Sequence, residues 1–233
     1  MENKEDKSKF QRLNNELLLL KSKETPFKDS VYHNVKDVKR YMDKNRIFLK
    51  RSFALNKLVK QLQKGDMLPA ICFVFSRKGV EQCAAEISHS LIEEGSTHAE
   101  TVEQECKKIL LKLSNYREYL HLPEYLFMVK LLKKGIAIHH SGVLPVLREM
   151  VEMLFSKGYI RLLFATETFA VGINMPTKTV IFTSFMKFDG NQERMLQGHE
   201  YTQMAGRAGR RGMDTVGHVV HMSNLSSLPS IVD

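Results

Sequence analysis

Four short apolar runs constrain this chain more than any other feature: AICFVF at 70–75, IAIHH at 136–140, RLLFAT at 161–166 and TVIFTS at 179–184. A run of this length that is apolar almost throughout reads as a strand buried on both faces, which is the condition of a parallel sheet. Segments with helical spacing lie between the runs. Leu55, Leu58, Val59 and Leu62 mark one face of a helix ended by Gly65. A second helix is expected from Lys78 to about Glu93, and another opens at Pro145. Strand and helix in alternation specify an α/β domain with a parallel sheet flanked by helices. Open sheets of this kind bind ligands where strands end and loops begin, so the functional residues are expected there.

Two regions break the rhythm. Residues 1–50 are rich in Lys, Asn, Glu and Asp and read as a basic extension or linker, with a helical segment around Arg12 to Lys21. The domain proper is expected over 51–233, with residues 89–134 as a charged, mostly helical insertion that covers the sheet. Lys and Arg total 35 against 26 Asp and Glu, a net charge of +9, which favours an anionic partner such as nucleic acid or a membrane surface. The apolar run Leu17–Leu20 is far too short to cross a bilayer. Three cysteines lie in no metal-ligand spacing, and their odd number, with no secretory signal at the N-terminus, leads to the expectation of a reducing, intracellular compartment, cytoplasm or nucleus.

Three strand-end segments carry chemistry. In QMAGRAGRRG, 203–212, Arg207 and Arg210 are three residues apart, and on a helix they project from one side. Gly206 and Gly209 keep that side free of bulk, so a phosphate chain can come close. Paired guanidinium groups suit the charge that spreads over phosphoryl oxygens during transfer. In FATETFAVGINMP, 164–176, a buried strand runs into Thr166, whose hydroxyl and neighbouring amides suit a nucleic-acid phosphate, and then into Gly172 and Asn174. In IHHSGVLP, 138–145, His139 and His140 are strand neighbours that face opposite ways, so they form no metal pair, and no metal site is expected. Ser141 and Gly142 are small, and the helix opened by Pro145 presents its N-terminal amides to a phosphate. FSRKG, 75–79, repeats that logic with Ser76, Arg77 and Lys78.

In this order the segments resemble the second RecA-like domain of superfamily two helicases, and within it the DExH-box RNA helicases of the superkiller and exosome-associated branch. The resemblance runs from about Leu68 to Gly217. FVFSR matches motif IV, IHHSGVLP the nucleic-acid loop that follows it, FATETFAVGINMP motif V and QMAGRAGRRGMD motif VI, while MKFDG at 186–190 sits where the branch carries a similar loop. Val171 and His199 stand where the branch often has Met and Gly. The resemblance implies that Gln203, Arg207 and Arg210 face ATP, the arginines at its γ-phosphate, with Gly206 and Gly209 beside them and Gly172 and Asn174 near the ribose. Ser76, Arg77, His140, Gly142 and Thr166 fall on positions that touch the backbone of a single nucleic-acid strand, RNA before DNA.

The sequence has no GxxxxGK[ST] loop and no DExH run, so the ligands of Mg2+ and the β-phosphate are expected on a first RecA-like lobe in cis, and the chain reads as a fragment. The family further implies an exosome or similar RNA-decay partner. Two rival readings use the same residues: a DNA helicase lobe of the related repair branch, and a binding module that kept the motor fold without turnover. A pair of arginines placed for a γ-phosphate favours the motor, since a pure binder has no use for it.

Overall fold

In the computed structural model, which describes residues 2–169, 175, 177–226 and 228–229, each of the four apolar runs forms a strand. These are β1 (Ala70–Phe73), β2 (Ile136–His139), β3 (Leu162–Ala165) and β4 (Thr179–Phe182), and every residue in them is buried. Two short antiparallel strands, β5 (Met186–Phe188) and β6 (Glu193–Met195), form a separate hairpin. A further strand, β7 (His218–His221), joins the main sheet at one edge, giving the order β2-β3-β1-β4-β7 with every pair parallel. The sequence reading did not find β7, because an edge strand is only half covered and lacks the unbroken apolar run of its neighbours.

Alternation along each strand builds two cores. Ile71, Phe73, Leu163, Val180 and Phe182 face helices α5 (His98–Leu110), α7 (Pro123–Leu132) and α8 (Pro145–Ser156), which supply Cys106, Leu110, Met128, Leu132, Leu147 and Met150. Cys72, Ile138, Phe164 and Ile181 face the other way, against α3 (Arg51–Lys64) and α4 (Arg77–Ala85) through Leu55, Leu62, Val80 and Cys83. All three cysteines are buried free thiols, and desolvation raises the pKa of each above its ordinary value. Among the described residues no helix is long and apolar enough to cross a membrane.

Local signals explain the helix boundaries. Gly65 caps α3, while Pro123 and Pro145 occupy first-turn positions of α7 and α8, where a missing N–H costs nothing. Helix α4 ends well before Glu93, the expected limit. The Asn56 side chain donates to the Glu86 carbonyl at 2.7 Å and accepts from the Ser88 N–H at 2.9 Å, taking the bonds a continuing helix would use. Between α4 and β2 lie α5, the short α6 (Tyr116–Leu120) and α7.

The first fifty residues are more structured than their composition suggests. Helix α1 spans Glu2–Leu13, so the helix expected at Arg12–Lys21 lies elsewhere: Asn14 and Asn15 end α1, and Leu17–Leu20 are not helical. Helix α2 (Asp29–Lys44) buries Val38 and Met42. The spacing Val31, Val35, Val38, Met42 is the signal that would have revealed it. Lys39 donates to the carbonyls of Ser223 and Ser226, and Tyr32 Oη donates to the Pro229 carbonyl at 2.9 Å, so α2 lies against the segment that follows β7.

Phe164, fully buried in the second core, should cost about 3–5 kcal/mol when replaced by Ala, from lost transfer energy and the cavity left behind. Phe48→Ala, at a side chain 88% exposed, should change stability by no more than about 0.5 kcal/mol. Urea titration of the two variants checks both.

Candidate nucleotide and nucleic-acid site

Three of the predicted segments leave the sheet side by side, because β2, β3 and β1 are adjacent strands. The ladders continue into the loops: Val74 N–H donates to the Ala165 carbonyl at 2.9 Å and Thr166 N–H to the His139 carbonyl at 3.2 Å. Ser76 caps α4, its Oγ accepting from the Gly79 N–H at 3.0 Å. Gly79 is required for this, since a Cβ there would lie 2.5 Å from that same Oγ and 2.9 Å from Val74 Cγ1. Arg77 and Gly142 are both exposed and packed together, with Arg77 Cδ 3.2 Å from where a Gly142 Cβ would sit. A larger residue at 142 would push Arg77 aside.

His139 and His140 do point apart. His139 Nε2 meets Glu152 Oε1 of α8 at 2.7 Å, and its ring lies edge-on to Phe169 at 4.8 Å. His140 turns to Glu81 of α4, Nε2 to Oε1, at 3.2 Å, while its Nδ1 accepts the Gly142 N–H at 3.1 Å. The second bond fixes the tautomer: the proton is on Nε2 and is donated to Glu81. Burial holds the pKa of His140 below 6.5 against the opposing pull of Glu81, and the ring is 3% exposed. Both ring nitrogens are spent inside the fold, and the residue shapes the turn that presents Gly142. Thr166 is also largely covered, at 7% exposed, with its Oγ1 3.0 Å from that of the exposed Thr168.

The arginine segment lies elsewhere. Helix α9 (Gly198–Ala205) begins beside the carboxyl end of β4, where the Leu196 N–H donates to the Phe185 carbonyl at 2.8 Å. It ends at the opposite edge of the sheet, capped by Gly206. There Thr177, two residues before β4 begins, forms a parallel bridge with Ala208. Thr177 N–H donates to the Arg207 carbonyl at 2.8 Å, and Gly209 N–H donates to the Thr177 carbonyl at 2.6 Å. The expectation that all functional segments gather at the carboxyl ends of the strands fails for this one, because an antiparallel helix returns it to the start of the sheet.

The helix assumed for Arg207 and Arg210 is likewise corrected. Their backbone has left α9 for the bridge to Thr177, so three-residue spacing does not decide their relative direction. Gly209 has φ +91°, open to glycine at little cost, whereas Gly206 at φ −64° is under no such requirement. Gly217 is held by close approach: a Cβ there would lie 2.5 Å from the carbonyl carbon and oxygen of Ala208. Gln203 is exposed on the last turn of α9. Arg210 is gripped by Asp214, Nε to Oδ2 and Nη2 to Oδ1 both at 2.8 Å, with its backbone N–H on the same Oδ2 at 2.9 Å. Nη1 takes no part in this fork. Gly172 and Asn174 lie outside the described residues.

Sequence reasoning missed Asp214, Thr177 and Gly217. Asp214 had a visible signal, an acid four residues after Arg210 and inside the quoted segment; Thr177 and Gly217 act through backbone contacts that spacing does not encode. The Arg210 hydrogen bond lowers the Asp214 pKa from its ordinary 3.8 to about 2. A depressed carboxylate stabilises the fold above its unfolded-state value and loses that contribution as pH falls through the folded one. Wild type should therefore exceed Asp214→Asn in stability above about pH 4, and the gap should close as pH falls through about 2, measured by denaturant midpoints across that range.

Comparison with known proteins agrees with this geometry. Residues 98–212 match the helicase conserved C-terminal domain. The antiviral helicase SKI2 of Saccharomyces cerevisiae is 46% identical over 155 residues, covering 65% of this chain and 12% of its own length. The DExH-box ATP-dependent RNA helicase DExH11 of Arabidopsis thaliana is 41% identical over 187 residues, 78% of this chain and 14% of its own. The exosome RNA helicase MTR4 of Homo sapiens is 45% identical over 152 residues, 65% of this chain and 14% of its own. The chain thus spans roughly an eighth to a seventh of these relatives' length. With a parallel five-stranded sheet between helices and the strand-end segments in this order, the chain has the architecture of a C-terminal, RecA-like helicase domain, similar to that of the superkiller branch of superfamily two DExH-box helicases.

Proposed function

We propose that this chain is the second motor lobe of an ATP-dependent RNA helicase, completing an ATP site with a first RecA-like lobe in cis and gripping a single RNA strand by its backbone. One observation supports it above the rest. The arginine segment and the strand-end loops occupy opposite edges of one sheet, so a nucleotide and a strand can be held by the same rigid body at the same time. A cleft that closes on ATP and reopens after hydrolysis then alternates the grip on the strand.

The residues at the arginine edge fit a polyphosphate. Arg207, Arg210 and Lys178 cluster there, and the nearby carboxylates Asp214 and Asp66 are already paired, with Arg210 and Lys178 respectively. ATP supplies the transferable phosphoryl group. Arg210 presents Nη1 to it from a fork fixed by Asp214, Arg207 stands beside it, and Gln203, Gly206 and Gly209 line the approach, while the family resemblance assigns Gly172 and Asn174 to the ribose. The Mg2+ ligands belong to the first lobe. At the other edge Ser76, Arg77, Gly142 and Thr166 meet phosphates, and His140 serves by holding Gly142. Contacts of this kind read no base, so binding is sequence-tolerant and salt-sensitive. Relatives named exosome RNA helicase and antiviral helicase suggest an intracellular RNA-decay assembly as the setting, in cytoplasm or nucleus.

Two measurements in the two-lobed protein test this. Arg210→Lys keeps the charge but loses the planar fork, and should lower ATP turnover by about 10²–10³-fold with a much smaller change in ATP KM. Equal loss from Arg211→Lys would instead mean a diffuse basic patch and would sink the γ-phosphate assignment. Thr166→Val should weaken single-stranded RNA binding by about two- to tenfold, read by fluorescence anisotropy. Binding that survives high salt and prefers one base sequence would contradict the backbone grip.

A further inference from the structure

Helix α9 crosses the sheet from its carboxyl edge to its amino edge, about 12 Å at 1.5 Å per residue. Its far end carries the arginine segment. Its near end is anchored in a charge cluster that none of the roles above uses. Glu200, in the first turn, accepts the Gln197 N–H at 2.8 Å and takes a two-pronged bond from Arg194 of β6, at 2.8 and 2.9 Å. Lys187 of β5 donates to Glu200 at 2.9 Å and to Glu167, directly after Thr166, at 3.4 Å. Asp189 closes the hairpin turn by accepting the N–H groups of Asn191 and Gln192, both at 3.0 Å, and faces Arg194 at 3.5 Å.

We propose that Lys187 couples RNA binding to ATP turnover, by tying Glu167, the residue that follows the RNA-gripping Thr166 and itself touches no RNA, to the helix whose other end holds Arg207 and Arg210. The inference rests on the motor reading given above. Lys187 is the only side chain among the described residues that bonds both segments, and it is 12% exposed. The two arms are unequal. The Glu200 arm is short and lies in a network braced by Arg194, whereas the Glu167 arm is long and ends on a carboxylate 34% exposed. A strand that moves the Thr166–Glu167 loop changes the long arm and pulls on the first turn of α9 through the short one. The helix is hydrogen-bonded throughout, so the displacement reaches Gly206 and the arginines beyond it. Without Lys187, Glu200 keeps its Arg194 fork, but no side chain among the described residues bonds Glu167 to it, and the link between the loop and α9 is lost. Burial lowers the Lys187 pKa, but the Glu200 hydrogen bond and both carboxylate charges outweigh it, so the ammonium stays charged.

The test is ATP turnover by the full two-lobed protein with and without a single-stranded RNA oligonucleotide. Lys187→Met should leave basal turnover within about twofold and cut the RNA-stimulated increment by about tenfold, a coupling of ordinary allosteric size. Glu167→Gln, which leaves the Glu200 network and the start of α9 intact, should behave the same way, and the double variant should be no worse than either single. Lys187→Arg should retain most of the stimulation. Stimulation undiminished in both Lys187→Met and Glu167→Gln overturns the proposal. So does a parallel fall in basal and stimulated rates in Glu167→Gln, which would mark the cluster as support only. A wild-type protein that RNA does not stimulate at all overturns the motor reading itself, a separate result.

Discussion

A parallel strand in an open sheet has no solvated face, and that requirement organises this molecule. Ile71 and Cys72 are neighbours in β1, both essentially inaccessible, and they serve different cores. Each core needs helices of its own, and each helix must run back across the sheet before the next parallel strand can begin. The position of every functional segment follows. Loops after β1, β2 and β3 open at one edge because the strands share one direction. The arginine segment reaches the other edge because α9 is a return helix.

Polar groups at the site are committed to scaffolding more than to presentation. His140, Thr177 and Asp214 are covered, and each makes bonds that fix a neighbour: the turn at Gly142, the bridge at Ala208 and the fork of Arg210. Buried pairs of this sort contribute little net stability, since desolvation offsets most of the attraction. Their effect is geometric. Arg210 without Asp214 would sample many rotamers, and a guanidinium acts on a phosphoryl group only if it is already in place.

The sheet was legible in the residues where burial is complete. AICFVF, IAIHH, RLLFAT and TVIFTS needed no partner information, because full burial writes itself as an apolar run. Strand β7 and helix α2 were not read, since each is half covered and its pattern competes with the charges on its open side. At the site, the identity of Arg207 and Arg210 was readable but their geometry was not. Residue spacing assumes one regular conformation, and here the helix stops at Ala205 and hands its hydrogen bonds to Thr177. His140 shows the same limit from the other direction: a polar side chain in a loop motif suggests contact, and only the positions of Glu81 and Gly142 reveal that both nitrogens are already taken.

The contact between α2 and the segment after β7 has a kinetic meaning. Lys39 and Ser223 are 184 residues apart, and Tyr32 and Pro229 are 197 apart. Strand β4 is interior in the finished sheet but is an unpaired edge until β7 has been synthesised. During translation the nascent domain therefore exposes an open, apolar strand edge while α2 waits for the segment it packs against. Long-range closure of this kind slows folding, and an open edge invites pairing with another chain. For a ribosome making this domain, the hazardous interval runs from the emergence of Phe182 to that of His221, the stretch that encodes the hairpin, α9 and both arginines.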